Sequence, residues 1–294
     1  AILLASGTAR AFEIPTIHAL LPGIVPAKLL PRAIAASASA QQTAVICGPS
    51  LGGLLYMFSP TGVYAICTLV FIAASVLISL VRVTPRNEAR RPVSLATLFA
   101  GFRYIRRHPI LLGAISLDLF AVLLGGVTAL LPIYARDILE TGPLGLGILR
   151  AAPAVGALLM TMVLARHTIS RHVGLRMFQA VIIFGAATVV FALSHWMWLS
   201  VVALAILGAA DTISVVIRFS LVQLSTPDKM RGRVGAVNFL FINASNQLGQ
   251  FESGVTAALF GAVPAAVLGG VGTIAIALLW MKLFPALRDV QKLE

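Results

Sequence analysis

From Val63 to Val81 the chain runs 19 residues without a charged side chain. At about 1.5 Å of rise per residue, a helix of that length reaches across most of a hydrocarbon core of about 30 Å. In lipid every backbone N–H and C=O must be satisfied within the protein, which leaves helices or a closed barrel. The apolar runs lack the short in–out alternation of barrel strands, so helices are expected. Composition agrees: 59% of residues are hydrophobic and 11% charged, with a mean hydropathy of +0.97. That is too little polar surface to coat a water-soluble domain. The sequence reads as an all-α multi-pass membrane protein.

Nine apolar helices are expected, at Ile2–Ile24, Arg32–Met57, Val63–Val81, Pro109–Tyr134, Leu144–Ala165, Leu175–Leu193, Trp196–Leu224, Arg233–Phe260 and Pro264–Leu283. Breakers such as Ser59-Pro60-Thr61-Gly62 and Thr141-Gly142-Pro143 separate them. A net charge of +12 would also suit a nucleic-acid binder, but the cations cluster between apolar runs. Of the 22 Lys and Arg, 18 lie in alternate connections or the C-terminal tail, and Arg136 alone lies in the opposite ones. The other three, Arg10, Arg150 and Arg218, fall inside apolar runs. Positive loops stay on the cytoplasmic side, so the basic connections and the C-terminus are expected there. In the longest connection, Val93–Arg107 sets Leu95, Leu98, Phe102 and Ile105 on one helical face and Arg103, Arg106 and Arg107 elsewhere. An interfacial helix on an anionic leaflet fits that pattern, and so does a solvated linker helix. Cys47 and Cys67 lie in apolar runs without metal-ligand spacing and read as buried, small apolar residues.

A gapless shift of 201 positions lays Gly208, Pro227, Lys229, Arg233, Gly249 and Gly254 on Gly7, Pro26, Lys28, Arg32, Gly48 and Gly53. An apolar hairpin around Pro-x-Lys-x-x-x-Arg therefore occurs twice, as in membrane proteins built from homologous halves. The first helix of the second half begins near Pro109, and its counterpart would fall before Ala1. Residues 1–81 are thus expected to be the last three helices of an N-terminal six-helix bundle. Residues 82–108 are expected to form a linker with the interfacial helix, and residues 109–294 a C-terminal six-helix bundle. The architecture expected is nine of twelve transmembrane helices in two pseudo-symmetric bundles.

This six-plus-six plan with a basic middle loop resembles the major facilitator superfamily. Local sequence is similar to its exporter-like branch, the group around the enterobactin exporter. The matching stretches are ARAFEIPTIHALLPGIVP (9–26), GPSLGG (48–53), GLGILRAAPAVGALL (145–159), TPDKMRGRVGAVN (226–238) and ASNQLGQFESG (244–254). The loop motif Pro227, Asp228, Arg231, Gly232 and Arg233 is the most specific of these. Gly48, Pro49, Gly52 and Gly53 match the antiporter-type helix motif, with Ala44 replacing its leading Gly. The superfamily loop signature is degenerate here, at Ala165–Arg171. The resemblance implies secondary active transport by alternating access in the plasma (bacterial inner) membrane. It implies efflux of a small molecule, drug or siderophore-like, with protons as coupling ion.

Charges within hydrocarbon are costly, so each intramembrane ionisable residue is a functional candidate. Counting from a twelve-helix molecule, these are Arg10 and Glu13 in helix four, Asp118 in helix seven and Arg150 in helix eight. Asp211 and Arg218 follow in helix ten, and Glu252 in helix eleven. By the resemblance, helices four, seven and ten line the central cavity, while six, nine and twelve are peripheral. The charges belong either to a substrate and proton pathway or to ion pairs that only pin helices together. The repeat lays Arg10 on Asp211, which places them as partners across the two halves. Arg218 is expected either to hold an anionic group or to reach toward the membrane phosphates.

Gly48-Pro49-Ser50-Leu51-Gly52 matches the G-x-S-x-G of serine hydrolases, but it lies in an apolar helix rather than a strand–turn–helix. No phosphate-binding loop or metal-ligand motif occurs in the sequence. No enzyme activity and no cofactor are therefore expected. The partners expected are the lipid bilayer, a small-molecule substrate and protons, without nucleic acid, and the protein is expected to act as a monomer. The alternative is a non-transporting membrane protein, or an inactive truncated remnant lacking one cavity wall. If Arg10 and Asp211 are partners, Arg10→Asp with Asp211→Arg should restore transport that either reversal alone removes. Equal loss in all three variants, measured as substrate efflux, would dismiss the pairing.

Overall fold

The computed structural model describes residues 59–81, 95–167 and 171–292, with scattered positions between 25 and 56. Of those positions, 47–49 and 51–56 are helical. Arg10, Glu13 and the expected helix Ile2–Ile24 lie outside the described residues, as does most of Arg32–Met57. The chain divides into two compact units, residues 1–48 with 55–92 and residues 49–54 with 93–294.

In the first unit, helix α1 spans Pro60–Leu80. Ser59 caps it, its hydroxyl accepting from the Gly62 N–H at 3.0 Å, and Pro60 fits the first turn because no N–H is needed there. None of its residues is buried, and Phe71 and Leu80 are each 71% exposed. A face that apolar suits lipid rather than water. Cys67 on this helix, like Cys47, is exposed rather than buried; a thiol is apolar enough to face acyl chains.

The second unit is all-helical among the described residues. Helix α2 spans Leu95–Arg107 and α3 spans Pro109–Leu124. After α3 come a 3-10 turn at Val127–Leu130, a short turn at Leu131–Ile133 and a π-helical turn at Tyr134–Ile138. Then follow α4 (Gly142–Arg166), α5 (Val173–Leu193), α6 (Met197–Leu224), α7 (Asp228–Phe260), α8 (Ala262–Leu283) and the single turn α9 (Pro285–Arg288). Gly261 joins α7 to α8 at φ 91°, ψ 160°, a conformation essentially confined to glycine.

Two sequence expectations change here. The helix expected at Pro109–Tyr134 is broken after Leu124. Gly125 and Gly126 favour helix poorly, and Pro132 cannot donate the backbone bond that would carry α-geometry across the next turn. The run ends in a π-helical turn, the Leu139 N–H donating to the Tyr134 carbonyl five residues back at 2.8 Å. Second, six described helical spans are long and apolar enough to cross a membrane, and α7 is not among them. Asn238, Asn243, Asn246, Gln247, Gln250 and Glu252 lower its hydropathy, although its 33 residues would extend about 50 Å.

Three apolar clusters form the core. One joins Leu130, Leu131 and Tyr134 to Leu149 of α4, Phe191 of α5 and Leu204 of α6. A second joins Leu117 of α3 to Met177 and Phe178 of α5 and Ile217 of α6. The third joins Ile105 of α2 to Leu111 and Ile115 of α3 and Val234 and Val237 of α7. Tyr104 completes the seating of α2, its hydroxyl donating to the Ser225 carbonyl at 3.1 Å.

Glycine sets how closely the helices cross. At α4–α6 a Cβ on Gly156 would strike the Ala205 carbonyl, and one on Gly208 would strike the Pro153 carbonyl. At α5–α8 a Cβ on Gly185 would stand 2.7 Å from the Gly270 carbonyl oxygen, and one on Gly270 2.8 Å from that of Gly185. Such contacts replace the hydrophobic drive that lipid does not supply. Gly156→Ala and Gly208→Ala should each lower stability by about 1–3 kcal/mol, the usual cost of overpacking. Gly232→Ala, where a Cβ meets nothing within 4 Å, should leave the detergent thermal-unfolding midpoint unchanged or raise it.

Candidate functional site

The second unit brings together three of the ionisable residues singled out in the sequence. Asp118 lies midway along α3, with Leu117 and Ala121 packed into the core on either side. Arg218 lies on α6 between the buried Ile217 and Leu221. The Arg218 Nη1 donates to the Asp118 Oδ2, with the side chains only 3% and 7% exposed. Arg218 therefore turns inward to a carboxylate of its own chain rather than toward a phosphate. Its Nε has no hydrogen-bond partner among the described residues. An ion pair this deep gains from mutual attraction what it loses in hydration, so losing one partner costs far more than losing both.

Asp211 is seven residues before Arg218, two turns and about 10.5 Å along the same face of α6. It is half-buried and, with Asp118, lines a cavity of about 10 Å³. The rest of the lining includes Ser214 from α6 and Ala180, Val181 and Phe184 from α5. The α5 helix, expected from the family resemblance to be peripheral, thus supplies one wall around the carboxylates. Ser214 is 4% exposed, and its Oγ has no hydrogen-bond partner among the described residues. Sequence reading missed Ser214. A face count along α6 holds the signal, since Asp211, Ser214 and Arg218 fall at i, i+3 and i+7.

The other candidates stand apart. Arg150 is exposed on α4 and pairs with no described residue. Glu252 is half-buried on α7, its Oε1 accepting from the Thr256 hydroxyl at 2.7 Å. In the loop motif the Pro227 carbonyl accepts from the N–H groups of Met230 and Arg231 at 2.8 and 3.0 Å, starting α7 at Asp228. Arg231 and Gly232 are exposed, and the Arg233 Nη1 reaches the Met230 sulfur at 3.7 Å. In the helix motif, Gly48 and Gly52 have nothing within 4 Å of where a Cβ would stand. Gly53 packs within the second unit, with the Cα of Gly147 3.3 Å from such a Cβ. Pro49 is helical and half-buried.

Apolar helices that expose their large side chains, together with a buried ion pair, define a multi-pass membrane protein with a polar site inside its helices. The Major Facilitator Superfamily model matches residues 1–249, and the chain belongs to that family of membrane transporters, which are not enzymes. It is 26% identical over 303 residues to the uncharacterised MFS-type transporter YvqJ of Bacillus subtilis, covering 99% of this chain and 70% of that protein. It is 26% identical over 279 residues to the enterobactin exporter EntS of Citrobacter koseri, covering 94% of this chain and 66% of the relative. With EntS of Escherichia coli O139:H28 it shares 27% identity over 265 residues, covering 89% and 59%. The chain thus spans between 59% and 70% of the length of these curated relatives.

Removing only the cation, as in Arg218→Gln, should destabilise the protein by about 3–5 kcal/mol because Asp118 is left charged and buried. Adding Asp118→Asn should recover most of that loss, read as the thermal-unfolding midpoint in detergent. No recovery in the double variant would mean that the two side chains are not energetically coupled.

Proposed function

We propose that the protein is a secondary active exporter working by alternating access, driven by proton entry and expelling a small drug-like or siderophore-like molecule. One observation carries this reading: the Asp118–Arg218 pair and Asp211 are gathered inside helices whose outer faces are apolar. Ionic groups held at that depth mark ion and substrate paths more often than mere supports. Family membership supplies the transport class, and the names of two relatives point to export. In this reading residues 1–81 belong to one bundle, 82–108 to a linker and 109–294 to a second bundle. The basic connections and the C-terminus face the cytoplasm of a bacterial cell, and the working unit is a monomer. The α2 helix, with Arg103, Arg106 and Arg107 toward its C-terminal end, rests on the anionic leaflet.

Reconstituted in vesicles, the protein should expel a fluorescent dye or a catecholate siderophore several-fold faster when an opposing proton gradient is imposed. A protonophore should abolish the gain. Flux that ignores the gradient would exclude proton coupling, and the absence of flux for every compound class would exclude export.

A further inference from the structure

Helix α5 begins without a cap of its own. His172 precedes it in the left-handed region, at φ 54°, and no side chain caps its first turn. The first N–H groups of a helix have no intrahelical partner, and here Val173 and Gly174 are buried away from water. The Gly174 N–H is met from the far end of the chain, donating to the Val290 carbonyl at 3.0 Å. That carbonyl belongs to the segment after α8, which turns through α9 and packs on the start of α5.

The hold of this segment is slight. Leu287 is its only fully buried side chain among the described residues, in one cluster with Val173 and Met177 of α5 and Ala114 of α3. Phe284 and Val290 lie half-buried beside that cluster, while Pro285, Ala286, Arg288, Asp289, Gln291 and Lys292 are exposed. Gly174 forms the seat. A Cβ there would strike the Leu287 carbonyl and stand 2.8 Å from the Arg288 carbonyl oxygen.

The neighbouring helices are joined without it. Trp280 ties α8 to α3, its Nε1 donating to the Ser116 hydroxyl at 2.9 Å and its ring lying 5.2 Å from that of Phe120. Further along, α5 meets α8 at the Gly185–Gly270 crossing. What the segment alone supplies is the grip on the first turn of α5. We infer that residues 284–292 form a releasable strap. Seated, it caps α5 and locks its start to α3 and α8; released, it frees that turn while the bundle stays folded. One leucine and one backbone bond suit a local opening rather than a global one. The helix so controlled supplies one wall of the space beside Asp118 and Asp211.

Hydrogen exchange of the purified chain in lipid nanodiscs, read by mass spectrometry, tests this. Leu287→Asp, which puts a charge in the seat, should speed exchange in residues 172–177 and 285–292 by about tenfold or more, the equivalent of one buried leucine. Residues 183–192 should exchange as in the wild type. Ala286→Asp, the same charge on an exposed neighbour, should change neither region. Gly174→Ala decides by sign. Alanine favours helix over glycine, so an α5 that started unaided would exchange more slowly. A seated strap has no room for the methyl group, so both regions should instead exchange several-fold faster. Combining Gly174→Ala with Leu287→Asp should add little, because either alone unseats the strap.

Slower or unchanged exchange in Gly174→Ala overturns the proposal, even if Leu287→Asp fails to fold. So does a rise that extends through residues 183–192 in either variant, which would make the segment part of the common core. Equal effects of Ala286→Asp and Leu287→Asp would reduce the result to charge and overturn it as well. None of these measurements involves transport, so their outcome is independent of the export reading.

Discussion

Inside a bilayer, apolar side chains gain little by leaving lipid for one another, so helices must find another reason to associate. Here that reason is close backbone approach at small residues, with Gly156 and Gly208 against opposing carbonyls on α4 and α6, and Gly185 facing Gly270 across α5 and α8. These contacts seat α4 on α6 and α5 on α8; α5 also packs on α6, and within this unit α2, α3, α7 and α9 dock on the resulting bundle. Replacing one hydrogen atom by a methyl group at such a crossing separates two helices along much of their length.

The bundle then tolerates charge where charge is disfavoured. Arg218 and Asp118 neutralise each other between the core side chains of α3, α5 and α6. The pairing is local and directional, so it fixes the rotation of α3 relative to α6 as well as their distance. Asp211 and Ser214 follow on the same stripe of α6, with Ala180, Val181 and Phe184 of α5 lining the small space beside them. An apolar frame thus surrounds a few ionisable groups.

Much of the frame was legible in the sequence because hydropathy and breakers are local signals. Helix α6 was expected at Trp196–Leu224 and occurs at Met197–Leu224; α5 was expected from Leu175 and begins at Val173. The interruption of α3 was harder, since Gly125-Gly126 and Pro132 lie in a continuous apolar run whose mean hydropathy hides them. Asp118 and Arg218 were visible singly as charges in apolar runs. Their partnership spans 100 residues of sequence, and no local rule connects positions so far apart. Ser214 was overlooked because a serine in a membrane helix commonly bonds its own preceding turn; only the packing around it reveals that it does not.

The break in α3 has a mechanical meaning. Beyond Gly126 the chain is fastened to α5, with the Tyr134 hydroxyl on the Ala192 carbonyl at 3.0 Å and its ring against Phe191. Before the break, α3 is fastened to α6 through Asp118. A single apolar run is therefore two segments joined at Gly125-Gly126, with different polar attachments but both packed against α5 and α6. A displacement of α6 would therefore reach both segments, at Asp118 in the first and at Leu131 and Tyr134 in the second.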